Sequence, residues 1–167
     1  MKNIYWTLFN QKEWTIIIAA SDEGLSYIGT SMDELEGWYQ KHYKDAVLVE
    51  NQEKMLEYKK QLQEYFAGER TTFDFSLDLQ GTEFQQRVWQ ALLQIPYGLT
   101  TSYSEIANMI HNPKAVRAVG GAIGANPILI VVPCHRIIGK NGKLTGFRSG
   151  IPLKKELLDI ENVSYKE

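Results

Sequence analysis

Residues 102–124, SYSEIANMIHNPKAVRAVGGAIG, set how the second half of this chain folds. Ser102 with Glu105 three positions later has capping-box spacing and predicts a helix through Met109 and Ile110. After His111, Asn112 stands at a cap position, and Pro113 at the first helical position opens a second helix. Two short helices joined by about three residues form a helix-turn-helix pattern. In the second helix Lys114 and Arg117 fall outward and Val116, Val119 and Ile123 inward. The pair Gly120-Gly121 lowers helix propensity and needs a reason, which is that glycine lets another backbone approach closely. A packed helix and a nucleic-acid backbone both satisfy it.

Upstream, Thr82 and Gln85 make a second capping box. The helix they open carries Phe84, Val88, Leu92 and Ile95 on one face until Pro96 stops it. Downstream of Asn126-Pro127, the apolar run Ile128–Val132 reads as a buried strand that delivers Pro133-Cys134-His135-Arg136 at its end. Cys134 is the single cysteine of the chain, which excludes an internal disulfide and any multi-cysteine zinc site. A lone cysteine is ordinarily small, inert packing. With His135 and Arg136 beside it, adjacent positive charge would favour the thiolate, the nucleophilic form. Neighbours in a strand point to opposite sides, so His135 would reach the thiol proton only through water or backbone curvature. A third group should orient the imidazole, and Asp159 and Glu161, on the terminal helix that Pro152 begins, are the available carboxylates.

The first half reads differently. Ile4, Trp6 and Leu8 alternate in strand fashion, and Trp14–Ala20 and Gly24–Gly29 follow as two more strands, giving an antiparallel meander. Ser31 and Glu34 cap a short helix through about Tyr43. Met55, Tyr58, Leu62, Tyr65 and Phe66 place a second helix over 51–66, and Thr71–Leu79 alternates as a strand or an extended crossing segment. The boundary is expected at 80/81, with an N-terminal domain over 1–80 and a C-terminal domain over 81–167.

The chain has 167 residues, 44% hydrophobic and 23% charged, an ordinary globular composition that excludes disorder and low complexity. No apolar run is long enough to span a membrane, and the N-terminus lacks the apolar stretch of a secretory signal, so a cytoplasmic protein is expected. Net charge is −2, but residues 1–80 carry 8 Lys/Arg against 14 Asp/Glu, and residues 81–167 carry 10 against 6. A localised basic face suits a polyanionic partner, though an ordinary solvated surface would also fit.

Gln94-Ile95-Pro96-Tyr97-Gly98, Ser102-Tyr103, Arg117-Ala118-Val119-Gly120-Gly121-Ala122, Asn126-Pro127 and above all Pro133-Cys134-His135-Arg136 closely resemble the O6-alkylguanine-DNA alkyltransferases. The stretches Gly139–Gly150 and Leu157–Glu161 extend the resemblance over about 81–161, and it is weaker before residue 81. It implies an α+β chain: a small antiparallel sheet with helices, ribonuclease H-like, then a mostly helical winged helix-turn-helix domain. It further implies a stoichiometric, irreversible transfer of an alkyl group from guanine O6, and possibly thymine O4, after minor-groove binding and nucleotide flipping. Cys134 would then be the acceptor, His135 its base through water, Glu161 the orienting carboxylate and Tyr103 a proton donor to the leaving guanine. Asn126 would tie the helix-turn-helix to the active-site segment. Arg117 would fill the vacated stack, with Ala118, Gly121, Tyr103, Lys114 and Arg136 also on DNA, and Ile137, Phe147, Arg148 and Ser149 would line the base pocket. Phe147 departs from the tyrosine common at that place, which removes a hydroxyl. No cofactor and no metal are implied, and a monomer acting on double- and single-stranded DNA is expected. A non-catalytic lesion binder, a winged-helix transcription regulator and a thiol hydrolase are the competing readings. The first is disfavoured by Cys134, and none explains Tyr103, Arg117, Asn126 and Cys134 together.

Overall fold

The structure, a computed structural model, describes residues 2–167. The chain divides into two compact units, the first ending at Gln80 and the second comprising Gly81–Glu167.

In the first unit, β1 (Lys2–Gln11), β2 (Trp14–Ser21) and β3 (Gly24–Gly29) form the expected meander, with Leu8 opposite Ile17 and Ile18 opposite Ile28. The sheet is nevertheless mixed rather than antiparallel. A fourth strand, β4 (Ala46–Glu50), lies parallel to β1, and the sheet order is β3-β2-β1-β4. This five-residue edge strand is only partly buried, so its alternation is too weak to read from sequence. Residues Ile16–Ala20 of β2 are all buried, which requires cover on both faces. On one face α1 (Met32–His42) packs Leu35 against Ile4, Ile17, Ala19 and Tyr27. On the other, α2 (Leu56–Phe66) brings Phe66 within 6.2 Å of the Phe9 ring. Ser31 caps α1 by accepting from the Glu34 amide. The second helix starts later than its periodicity suggests because Asn51 Oδ1 accepts from the Lys54 amide, closing a turn instead of a helix.

Residues 71–79 form no strand: they bend at Thr71, Thr72 and Phe75 and join the sheet at an isolated bridge between Leu77 and Leu25. Gly24 makes that approach possible. Its φ is +148°, and a Cβ there would lie 2.5 Å from the Ser76 carbonyl oxygen.

In the second unit, α3 (Glu83–Leu92) begins with the full capping box of Thr82 and Gln85. Ser102 caps α4 (Tyr103–Met109) through the Glu105 amide, and α5 spans Val116–Gly124. The Trp89 indole of α3 donates to the Ala122 carbonyl at 2.9 Å and so fixes α3 to α5. The second helix of the pair begins later than expected. Asn112 accepts from the Ala115 amide through its backbone carbonyl, so 112–115 is a turn, and Lys114 sits in that turn. Starting at 116 also turns Val116 outward, 36% exposed, and leaves Val119, Ala122 and Ile123 as the buried stripe.

Ile128–Val132 is buried but is not a strand. The Val132 amide donates to the Ile128 carbonyl, the Val131 amide to that of Leu129, and Ile130 has φ +75°. The run closes on itself with no neighbouring strand among the described residues, and a short buried apolar stretch looks the same from sequence either way. A 3₁₀ turn, Cys134–Arg136, follows, then an irregular loop and α6 (Ile151–Ile160). Where a wing is implied, the described residues hold only isolated bridges, Thr101 to Ile137 and Lys143 to Lys166. No helix among the described residues is long and apolar enough to cross a membrane.

Candidate active site

Asn126, fully buried just beyond α5, folds the segment that presents the cysteine. Its Nδ2 donates to the Val132 carbonyl at 2.8 Å and its Oδ1 accepts from the Ile128 amide at 2.9 Å, so one side chain closes the loop 126–132. Within that loop the positive φ of Ile130 is strained for a β-branched residue, at roughly 1–3 kcal/mol, and persists because packing on all sides determines it.

The 3₁₀ turn solves the problem that a strand would have posed. With about three residues per turn, successive side chains leave the axis roughly 120° apart. Cys134 can therefore face a cleft while His135 and Arg136 both reach Glu161. The imidazole Nε2 lies 2.7 Å from Glu161 Oε2. Arg136 Nε donates to Oε1 at 2.8 Å and Nη2 to Oε2 at 3.1 Å, while Nη1 donates to the Ile95 carbonyl at 2.6 Å. The Gly98 amide adds a bond to Glu161 Oε1 at 3.1 Å. Of the two candidate carboxylates the structure selects Glu161; Asp159 is exposed and accepts from the Tyr165 hydroxyl.

Burial pushes the His135 pKa down, against the opposing pull of Glu161, so the ring is neutral at pH 7. Its Nε2–H donates to the carboxylate, which leaves Nδ1 as the basic nitrogen. That nitrogen is buried and has no hydrogen-bond partner among the described residues. The expected thiolate-favouring role of the sequence neighbours needs correction. Burial raises the Cys134 pKa, and what opposes it is the Asn126 side chain and the charges of Arg148 and Lys154. Arg136 is neutralised by Glu161 and does not serve the thiol.

Cys134 opens on a cavity of about 340 Å³ lined by Tyr103, Gly120, Ile123, Gly124, Leu129, Gly146, Phe147 and Arg148, within the roughly 300–1,000 Å³ range of small-molecule sites. Tyr103 starts α4, the glycines 120 and 124 lie on α5, and the loop after the turn supplies Phe147 and Arg148. Arg148 also donates to the carbonyls of Asn126 and Pro127, which draws its loop over the cleft. Ile137 and Ser149 do not line this cavity. Ile137 is wholly buried, and its carbonyl accepts from Lys154.

Arg117, Ala118, Gly121 and Lys114 are exposed. The structure does not bring Arg136 to that surface, since it is 7% exposed and committed to Glu161. Lys154, 1% exposed, is likewise withdrawn from the basic face counted from sequence. Sequence reasoning missed Lys154 as a site residue, and missed Thr145, whose hydroxyl lies between Lys154 and Tyr103. The signal was present, because Lys154, Leu157, Leu158 and Glu161 share one face of a helix at spacings of three and four. Among the described residues no group of three His, Cys, Asp or Glu side chains is placed to hold a metal ion.

The chain matches the DNA-binding domain of 6-O-methylguanine DNA methyltransferases over residues 83–163 and their ribonuclease-like domain over 4–79. It is 47% identical over 167 residues to the inducible methylated-DNA–protein-cysteine methyltransferase of Bacillus subtilis, covering 98% of this chain and 93% of that one. It is 48% identical over 158 residues to the corresponding protein of Methanosarcina acetivorans, covering 95% and 98%. Among solved structures, Mycobacterium tuberculosis OGT in complex with DNA superposes with a TM-score of 0.82 at 43% identity, covering 94% of this chain and 92% of that one. Two domain matches that together span nearly the whole chain, around a buried cysteine with a histidine–glutamate pair behind it, place the protein in the 6-O-methylguanine DNA methyltransferase family.

Proposed function

We propose that this protein repairs O6-methylguanine in DNA directly, taking the methyl group onto Sγ of Cys134. The observation that carries the reading is the cavity over that sulfur. One wall is the helix-turn-helix, the floor is Cys134, and behind the floor His135 is locked to Glu161. The Sγ–CH3 bond forms as the CH3–O6 bond breaks, a direct displacement that needs an activated sulfur, an aligned substrate and a stabilised leaving group. His135 Nδ1 takes the thiol proton through a bridging water, and the imidazolium that forms is stabilised by Glu161. Burial raises the thiol's pKa, so the resting cysteine is protonated and a base must take its proton for the sulfur to attack.

A base inside a duplex cannot reach a buried sulfur, so the nucleotide must leave the stack. Arg117, exposed on α5, fills the space it vacates, while Ala118, Gly121 and Lys114 meet the minor-groove side of the backbone. Tyr103 gives a proton to guanine N3, and Phe147 and Arg148 border the base. The thioether product has no route back, so each molecule acts once, on duplex or single-stranded DNA and as a monomer. Intact mass after incubation with an O6-methylguanine oligonucleotide tests this. The expected gain is one methyl group, on the Cys134 peptide and at most one per protein, with Cys134→Ser gaining none yet still binding DNA. Multiple turnovers, or a methyl group elsewhere, would refute it.

A further inference from the structure

Lys154 is a buried ammonium whose charge favours the Cys134 thiolate but whose hydrogen bonds go elsewhere. Its Nζ donates to the Ile137 carbonyl at 2.6 Å, to the Thr145 carbonyl at 3.3 Å and to Thr145 Oγ1 at 3.2 Å. The same Thr145 Oγ1 accepts from Tyr103 Oη at 2.7 Å. Two donors thus converge on one hydroxyl, and one of them lines the cavity over Cys134.

Donor counting gives this chain a direction. An ammonium only donates, whereas a hydroxyl has one proton and two acceptor sites. When Tyr103 turns its proton toward a base in the cavity, its oxygen is freed, and the Thr145 O–H can rotate to donate to it while Lys154 continues to donate to Thr145. Lys154 and Tyr103 keep a partner in both arrangements, and the Thr145 proton gains an acceptor in the second.

We propose that Thr145 is a positioning residue for methyl transfer, its hydroxyl linking the buried Lys154 ammonium to the Tyr103 phenol so that Tyr103 is held as proton donor to the departing guanine and is reprotonated afterwards. This rests on the reading of Tyr103 as that donor. The balance closes: the pair from the CH3–O6 bond stays on guanine, Tyr103 protonates N3, Thr145 passes its proton to the phenolate and takes one from Lys154, which ends as a neutral amine. The thiol proton goes separately to His135.

The electrostatics run the same way. Burial lowers Lys154 to about 8, opposed by the charge of Cys134. Alkylation removes the charge from that sulfur, so Lys154 releases its proton more readily as the thioether forms. The other groups facing this centre are His135, whose pKa Lys154 helps to lower, and Arg148, which acts on the same thiol.

The test is single-turnover methyl transfer from duplex O6-methylguanine DNA, with protein in saturating excess. Thr145→Val, nearly isosteric, should slow transfer roughly tenfold, equivalent to about 1.4 kcal/mol, with DNA affinity unchanged and the protein still folded, since Lys154 keeps its bonds to the carbonyls of residues 137 and 145. Thr145→Ser should return the rate to within about twofold, and Thr145→Ala repeats the loss without needing new space. In a Tyr103→Phe background, removing Thr145 should change nothing further, because the two act in one chain. A wild-type rate in both Thr145→Val and Thr145→Ala, with Tyr103→Phe slow, overturns the link alone. A full additional slowing on top of Tyr103→Phe overturns it as well. Transfer at the wild-type rate in Tyr103→Phe sinks the underlying reading of Tyr103 instead.

Discussion

Replacing Arg136 by methionine separates two roles that its sequence position leaves open. The guanidinium is 7% exposed, makes two bonds to Glu161 and one to the Ile95 carbonyl, and lies on the side of the turn away from the cavity. Methionine keeps most of the buried stem, so the loss is chiefly of charge. Removing one partner of a buried pair strands the other, at about 3–5 kcal/mol. A domain has about 5–15 kcal/mol in all, so the loss is large. Urea unfolding should show a drop of that size. The folded variant should bind DNA as the wild type does, with the same salt dependence, since no phosphate contact has been removed. There is a catalytic consequence as well. Arg136 helps to hold the His135 pKa down, so without it the imidazole protonates at higher pH and the acid limb of the transfer rate moves upward. Unchanged stability with a salt slope reduced by about one would mean that this guanidinium faces a phosphate, and the buried ion pair would be wrong.

A Cβ placed on Gly121 would meet nothing within 4 Å among the described residues, and one on Gly120 only the Tyr103 ring at 3.8 Å. Gly121→Ala should therefore fold at least as well as the wild type, gaining up to about 1 kcal/mol of helix propensity, while binding DNA more weakly; a lower melting temperature would show that the glycine serves packing. Arg117→Ala should slow repair in duplex more than in single strands, because only the duplex has a vacated stack to fill, and equal effects on both would refute that role. His135 is held neutral with its folded pKa below the unfolded 6.5, so the unfolded chain binds the extra proton first. This contribution to stability is full above the unfolded pKa and is lost as pH falls through it toward the folded one; urea midpoints should show this slope, and His135→Gln should lack it.

Local grammar carried far in this chain. The capping box at Thr82, the N-cap at Ser102, the glycine pair on α5 and the tetrapeptide around Cys134 are each readable because their physics involves residues a few positions apart, although α3 stops at Leu92, short of the expected end at Pro96. The errors share the opposite property. The strand β4 exists because β1 offers it a parallel edge, 44 residues distant in every pairing. Ile128–Val132 fails to be a strand because no edge is offered to it, and Asn126 supplies the bonds instead.

The same division runs through the site. The linear order of residues was enough to name the sulfur at issue, to set a helix-turn-helix beside it and to require a carboxylate near the C-terminus for its histidine. It took the folded chain to supply the bonds that seat Glu161, which the resemblance had named, behind His135, to make Arg136 its buried counter-ion, and to link Lys154 through Thr145 to Tyr103. The reason is that a charge is defined in sequence by its sign but in a fold by its surroundings. Whether a cation meets solvent, a carboxylate or a thiol depends on which distant segments exclude water around it, and for Arg136 and Glu161 that is settled between residues 25 positions apart.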